Sequence, residues 1–373
     1  MIRAIIVDDE ELSLISLEKK LHAFPNILVV KSYTNHNHIL DDIKKENIDI
    51  AFLDIEMIGL NGLDLAEAIL SIQSSIHIVF VTAHSEYAVQ AFEINSIDYL
   101  LKPVTSRRLQ KTMDRLTEMK EKSTNTITEE NFTSPLVVNC FGELHVFHDN
   151  QLLHFKTAKV KELFAFLLTH INKYIHRDII IESLWSEQEY KKSKINLHTC
   201  VSHLRKTLNN IGYKNCITFS NQSYALSLDF IDCDTMNFNM TNQNLDTLDE
   251  TNINLAIKII HLYKGPYMAI NNYEWAYTIT HEYDEKMMKL VDKLIQYFCL
   301  IDPDQTLYYL QFQRKLAPYL DENINLSLRI LNQLGNRTEA IKLYQEYKDL
   351  LRADLGIEPA FELTKLYDEI SLS

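Results

Sequence analysis

The sequence predicts a doubly wound α/β domain first, a small mixed segment of short strands and helices next, and an all-helical final third. Three patterns carry this expectation. Over the first 120 residues, five apolar runs rich in β-branched residues alternate with stretches of helical period. A polar segment at 120–135, KEKSTNTITEENFTSP, then breaks the hydrophobic period. Beyond Asp234 the strand signals fade and helix–turn–helix pairs follow one another.

In the first segment, strands are expected at 3–7, 27–31, 49–53, 77–81 and 97–101. Helices are expected between and after them, at 11–23, 36–45, 62–72, 85–94 and 106–119. Strands that each lead into a helix build a parallel sheet covered on both faces. A site in such a sheet lies at the carboxyl ends of the strands, where the strand order reverses. In the middle, short alternating runs at 136–155 predict a small sheet. Helical stretches follow at 159–170, 177–185 and 193–209, and then a hairpin at 217–228 turning at Ser220-Asn221-Gln222-Ser223. In the last third, a helix at 326–334, Gly335-Asn336 as C-cap and N-cap, and a helix at 338–351 exemplify the paired pattern.

A chain of 373 residues is long enough for two or three domains with separate cores. It has no apolar run of about 18 residues, so no membrane span is expected. The opening MIRAIIVDDEE is too short in its apolar part for a signal peptide, which predicts a cytoplasmic protein. Five scattered cysteines without a CxxC pair read as reduced thiols. The net charge is −14, but it is uneven: −6 over 1–122, −2 over 123–133, +2 over 134–232 and −8 over 233–373. Only the middle segment is positive, and with so small a surplus its lysines must gather on one face to bind nucleic acid.

Acidic residues sit at strand ends: Asp8 and Asp9 after the first, Asp54 after the third. Three carboxylates at one sheet edge repel one another unless a cation intervenes, and Mg²⁺ suits all-oxygen ligands and phosphate. Thr82 ends the fourth strand, and Lys102-Pro103 follows the fifth. A strand-end charge taken alone is an ordinary solvated loop residue. The ordered set of a carboxylate nucleophile, a metal site, a hydroxyl and a lysine suits phosphoryl transfer onto an aspartate.

With VDDE at 7–10, FLDIEM at 52–57, Gly62, VTA at 81–83 and DYLLKP at 98–103, residues 1–122 resemble the flavodoxin-like, CheY-like receiver domain of response regulators. The resemblance implies that Asp54 is the phosphoacceptor. It also implies that Asp8, Asp9, Asp54 and the Glu56 backbone carbonyl hold Mg²⁺, and that Thr82 and Lys102 contact the phosphoryl group. Tyr99 is then the switching aromatic, and the Lys102–Pro103 bond is expected to be cis. Ile58 stands where family members usually carry proline. The face built from the stretch between Ser85 and Met119 is the one that usually dimerises in the family.

Residues 135–232, after a linker at 123–134, resemble the OmpR/PhoB-type winged helix in its SARP-type variant. The carrying pieces are FGELHVF at 141–147, TAKVKELFAFLL at 157–168, HRDIIIESLW at 176–185 and NLHTCVSHLRKTL at 196–208. At about 100° per residue, Leu197, Val201, Leu204 and Leu208 fall on one stripe that must face the core. Thr199, Ser202, His203 and Lys206 fall opposite. In helix-turn-helix relatives such a face enters the major groove. Lys191, Lys192 and Lys194 are expected at phosphates, with Asn221 and Gln222 at the wing tip. Trp185 is expected in the core. The bland alternative is an ordinary amphipathic surface helix; the lysine cluster and the following hairpin favour DNA.

Residues 233–373 resemble the TPR-like bacterial transcriptional activation domain of SARP-type regulators, through YKGPYM at 263–268, EWA at 274–276, TEAIKLYQEYKDLL at 338–351 and DLGIEP at 354–359. RNA polymerase, a second copy of the chain and an unknown partner are all open for this segment. Together the resemblances imply a two-component transcription factor, activating in type and not itself an enzyme. It would be phosphorylated by a sensor histidine kinase and bind double-stranded promoter DNA, as a homodimer once phosphorylated. Two other outputs compete with it: a LytTR-type DNA-binding domain, which residues 85–103 also suggest, and a protein–protein scaffold whose winged helix does not touch DNA.

Overall fold

The computed structural model describes the chain except residues 36–37, 86, 88–95, 124–133, 244 and 373. The helix expected at 85–94 and the linker expected at 123–134 fall almost wholly outside the described residues. The chain forms two compact units, one of residues 1–136 with 147–231, the other of residues 137–146 with 232–373.

The first unit opens with strand β1 (Ile2–Val7), helix α1 (Glu11–Leu21), β2 (Ile27–Tyr33), α2 (Ile39–Lys45) and β3 (Ile50–Leu53). A two-residue hairpin, β4 (Glu56–Met57) and β5 (Leu60–Asn61), leads into α3 (Gly62–Ile72), β6 (His77–Thr82), β7 (Asp98–Leu101) and α4 (Ser106–Ser123). The five long strands form one parallel sheet in the order β2-β1-β3-β6-β7. β1 and β3 are sealed on both faces, which is why they read as unbroken apolar runs rather than alternating ones. One core layer, around Ile5, Leu53, Ile69 and Phe80, lies under α2 and α3; the other, around Ile6, Phe52, Leu109 and Leu116, lies under α1 and α4. The β4–β5 hairpin was not expected: two residues per strand leave no periodicity to read. Helix α2 is described from Ile39, three residues after the expected start; His36 and Asn37 lie outside the described residues.

Strands β8 (Leu136–Asn139), β9 (His145–His148) and β10 (Gln151–Leu152) follow, then α5 (Ala158–Thr169), β11 (Ile175–His176), α6 (Arg177–Trp185) and α7 (Tyr190–Asn210). The hairpin β12 (Ile217–Ser220) and β13 (Ser223–Leu226) comes next. It takes β11 as a third strand in the order β11-β13-β12. The three helices close around Leu163, Phe164, Ile180, Leu184, Val201 and Leu204, all buried. Trp185 is 5% exposed and belongs to this core. Helix α7 starts at Tyr190, one turn before the expected residue 193. The charged first turn, Lys191 and Lys192, shows no apolar period in sequence, yet it is helical because polar residues with good helix propensity extend an existing helix at little cost.

The second unit contains α8 (Asp234–Asn242), which follows β14 (Ile231–Cys233), then α9 (Ile253–Leu262), α10 (Tyr277–Phe298), α11 (Pro303–Leu316), α12 (Asp321–Gln333), α13 (Arg337–Asp354) and α14 (Phe361–Leu372). Its core has two parts. Phe141, Phe238, Tyr263, Leu290, Leu294 and Tyr309 pack in one; Leu328, Ala340, Tyr344, Tyr347 and Leu363 pack in the other. Ala340 and Tyr344, four residues apart on α13, are both buried there, as a stacked helical pair requires. Gly335, at φ 76°, ends α12 in the left-handed region where glycine carries no Cβ penalty. Helix α12 begins at Asp321, not at 326; its first turn is polar and only the later residues show the period.

Candidate functional site

The acidic residues converge where the strand order reverses, at the carboxyl ends of β1 and β3. Oxygens of Asp8, Asp9 and Asp54 all lie within 4.8 Å of one another. Asp8 and Asp54 are buried and Asp9 is half-buried. Lys102, just past β7, reaches into this cluster. Its Nζ is 2.7 Å from Asp54 Oδ2, 2.8 Å from Asp8 Oδ2 and 3.6 Å from Glu10 Oε2. Burial works against the lysine charge, but its hydrogen bonds to Asp54 and Asp8 outweigh that and hold Lys102 above the usual lysine range. Burial pushes the Asp8 carboxyl up, against the hydrogen bonds it accepts from Lys102 and from the Glu10 N–H. An all-oxygen set of this kind, short of positive charge, fits a hard divalent cation.

Backbone amides steer the carboxylates. The Ile55 N–H donates to Asp54 Oδ1 at 2.6 Å, and the Ile58 N–H donates to Asp9 Oδ2 at 3.0 Å. The residue that replaces the family's proline therefore supplies a donor that proline lacks. Thr82 is fully buried at the end of β6, and its Oγ1 accepts from the His84 N–H at 3.4 Å. Tyr99 on β7 donates its hydroxyl hydrogen to the His84 carbonyl. The Glu56 side chain is exposed, accepting from the Tyr87 hydroxyl at 2.8 Å and pairing with His84 Nε2 at 3.0 Å. The Lys102–Pro103 bond is cis. Asp8, Asp9, Asp54 and Lys102 are thus brought into one strand-end crevice, while Thr82 and Tyr99 both bond to the backbone of His84.

The second set of expected residues lies on α7 and the β12–β13 turn. Leu197, Val201, Leu204 and Leu208 are fully buried, as the stripe requires. Lys191, Lys192 and Lys206 are exposed; Thr199, Ser202 and His203 are half-buried. Thr199 Oγ1 donates back to the Ile195 carbonyl at 3.0 Å. His203 Nε2 lies 3.0 Å from Lys156 Nζ. Burial first, then Lys156 and Lys206, hold His203 below its ordinary value. Lys156, ahead of α5, thereby joins the cationic side of α7; it sits in a loop some 47 residues away and gave no sequence signal. Asn221 and Gln222 are exposed at the hairpin tip, both at positive φ (48° and 58°), the backbone of a tight two-residue turn. Lys194 departs from its neighbours. Its Nζ is 3.4 Å from Asp64 Oδ1 on α3, and burial lowers its affinity for the proton.

Three family models match successive parts of the chain. Residues 4–114 match the family model of the response regulator receiver domain. Residues 154–226 match that of the C-terminal domain of transcriptional regulatory proteins. Residues 248–371 match that of the bacterial transcriptional activator domain. An uncharacterized response regulatory protein of Yersinia pestis is 45% identical over 116 residues, 31% of this chain and 48% of that protein. The transcriptional regulatory protein BtsR of Escherichia coli is 35% identical over 147 residues, 39% of this chain and 61% of that protein. The sensory transduction protein LytR of Staphylococcus epidermidis is 37% identical over 123 residues, covering 33% and 49%. The chain thus spans about half the length of the curated relatives it matches. Among solved structures, the response regulatory domain of mrkE from Klebsiella pneumoniae is 33% identical with a TM-score of 0.31, covering 32% of this chain and 99% of that one. Among the described residues no helix is long and apolar enough to cross a membrane.

Proposed function

We propose that this chain, which joins a response-regulator receiver domain, an OmpR/PhoB-type DNA-binding domain and a SARP-type activator domain in that order, is a phosphorylation-controlled transcriptional regulator. The observation that carries the reading is Lys102 bridging Asp54 and Asp8 beside Thr82, with the cationic side of α7 further along the same chain. Domain bounds of 1–122, 135–232 and 233–373 are proposed, with 123–134 as linker.

A carboxylate oxygen of Asp54 attacks the phosphorus of a phosphohistidine on a sensor kinase. The P–N bond breaks, its electron pair stays on the imidazole nitrogen, which takes up a proton, and an acyl phosphate forms on Asp54. Asp8, Asp9, Asp54 and the Glu56 carbonyl are the group that holds Mg²⁺, which when bound neutralises charge on the phosphoryl oxygens. Lys102 donates to the transferred group in exchange for its present bond to Asp54, and the Thr82 hydroxyl is a second donor. The new charge, roughly −1.5 to −2, is what changes the domain.

Lys191, Lys192, Lys194 and Lys206 take DNA phosphates. Thr199, Ser202 and His203 face base edges in the major groove, and Asn221 and Gln222 lie at the wing tip. The protein works in the cytoplasm, as a homodimer when phosphorylated, activating transcription through a helical unit that offers a surface to RNA polymerase. A genomic DNA selection with wild-type protein should recover a repeated site. The triple variant Lys192→Ala, Lys194→Ala, Lys206→Ala should recover none; equal recovery by both proteins overturns the assignment of α7.

A further inference from the structure

Helix α3 starts directly behind the acceptor. The Gly62 N–H donates to the Ile55 carbonyl at 2.7 Å, and a Cβ on Gly62 would fall 1.8 Å from the Asp54 carbonyl oxygen. No side chain fits between the acceptor's backbone and the helix, so displacement of one is felt by the other. Asp64 and Glu67, three residues apart, share one face of this helix. That face meets the winged helix. Asp64 Oδ1 accepts from Arg177 Nη1 of α6 at 2.8 Å and lies 3.4 Å from Lys194 Nζ of α7. Glu67 pairs with Arg205 of α7, and its Oε1 is 3.2 Å from His198 Nδ1. Glu67 is 0% exposed, His198 4% and Arg205 8%. Next to them, Ser71 Oγ donates to the Phe219 carbonyl at 3.4 Å, and Asn215 Oδ1 accepts from the Ser74 N–H at 3.3 Å.

The placement on α7 matters. At about 100° per residue, Lys194, His198 and Arg205 lie within roughly 40° of one another, and Lys191 and Ser202 lie between them and the arc that carries Lys192, Thr199, His203 and Lys206, about 80° further round. A helix lying in the major groove has phosphates along its flanks. On this flank the receiver supplies carboxylates instead, paired with the same kinds of cations that would meet phosphates.

We propose that Asp64 and Glu67 form an acidic clasp that occupies the DNA-phosphate flank of α6 and α7, so that receiver docking and DNA binding exclude one another, with α3 relaying the state of Asp54 to the clasp. The inference rests on the reading of α7 as the DNA-contacting helix. Buried ion pairs tolerate little misalignment, since a partner moved away leaves a charge buried alone. A modest shift of α3 at Gly62 therefore opens the clasp. Only the open fraction binds DNA, and the apparent affinity falls by that fraction.

Two measurements test this on the full-length protein. In the first, fluorescence anisotropy follows binding to a random-sequence DNA duplex at low salt. The Asp64→Asn, Glu67→Gln double variant should bind about 10-fold tighter than wild type without any phosphodonor; equal affinity overturns the clasp. In the second, Ser74→Cys and Asn215→Cys form a disulfide across the interface in a Cys299→Ser background. Acetyl phosphate with Mg²⁺ should slow that cross-linking, and the cross-linked protein should lose duplex binding until reduced. Cross-linking indifferent to acetyl phosphate overturns the relay through α3. If cross-linking responds but no form of the protein binds duplex, the DNA reading of α7 fails, and competition with DNA fails with it. Phosphate-dependent docking then stands alone as a separate result.

Discussion

Lys102 Nζ lies 2.7 Å from Asp54 Oδ2 and bridges to Asp8 within a crevice that exposes little of any of the three side chains. The lysine is thus the cation that holds the two carboxylates together. Asp54 is the carboxylate that faces it, and the first prediction concerns that residue. The Asp54→Asn variant should take up no label from radiolabelled acetyl phosphate, while wild type does; uptake at the wild-type level would place the acceptor elsewhere.

Removing the lysine should show what it neutralises. Lys102→Ala leaves Asp8 and Asp54 close together without their cation, at a cost of about 1–3 kcal/mol in unfolding free energy. Added Mg²⁺ should restore part of it, because a divalent ion takes over the neutralisation. Urea unfolding with and without Mg²⁺ measures both effects.

Gly62→Ala tests the contact behind the acceptor. Its Cβ would meet the Asp54 carbonyl oxygen at 1.8 Å, and the obstacle is backbone rather than a side chain that can swing away. A loss of about 3 kcal/mol is expected, together with slower phosphorylation. Wild-type stability in chemical denaturation would mean that the loop relaxes freely.

Salt separates phosphate contacts from other roles on α7. Lys192→Ala combined with Lys206→Ala should lower the slope of log affinity against log salt by about 2, since each lost phosphate contact removes nearly one counterion. An unchanged slope with unchanged affinity would put both lysines away from the duplex.

Acid should weaken the Glu67 contact. Burial pushes the Glu67 carboxyl up, but Arg205 and His198 outweigh burial and hold it below its ordinary value of 4.5. A carboxyl depressed in the folded state contributes stability that is fully present above pH about 4.5 and is lost as pH falls through the depressed value. The stability difference between wild type and Glu67→Gln should therefore be largest above pH 5 and shrink toward pH 3, read by urea unfolding across that range. A difference that stays constant with pH would mean that Glu67 is not the group that titrates.

The local patterns of this sequence were enough to place Asp8, Asp9, Asp54 and Lys102 at one sheet edge, its first candidate site. Five strands, four of them ending at Asp8, Asp54, Thr82 and Lys102, could be read because apolar period and strand-end chemistry lie within a few residues of each other. The same holds for α7, where Leu197, Val201, Leu204 and Leu208 mark the buried stripe by spacing alone. Weakly patterned pieces escaped: β4, β5 and β11 have two residues each, and the first turn of α7 is too polar to show a period.

Which cation meets which acid was another matter. Glu67 and Arg205 are 138 residues apart, and Asp64 and Arg177 are 113 apart. In sequence each is an ordinary charged residue on an amphipathic helix. Periodicity told which side of α7 faces its own core, because burial of apolar surface follows helical geometry. It could not tell that Lys194 would turn to Asp64 while Lys191 and Lys192 stayed in solvent. That choice depends on how two separately formed surfaces pack, and charge pairing across such a contact exists only once the tertiary structure has brought them together.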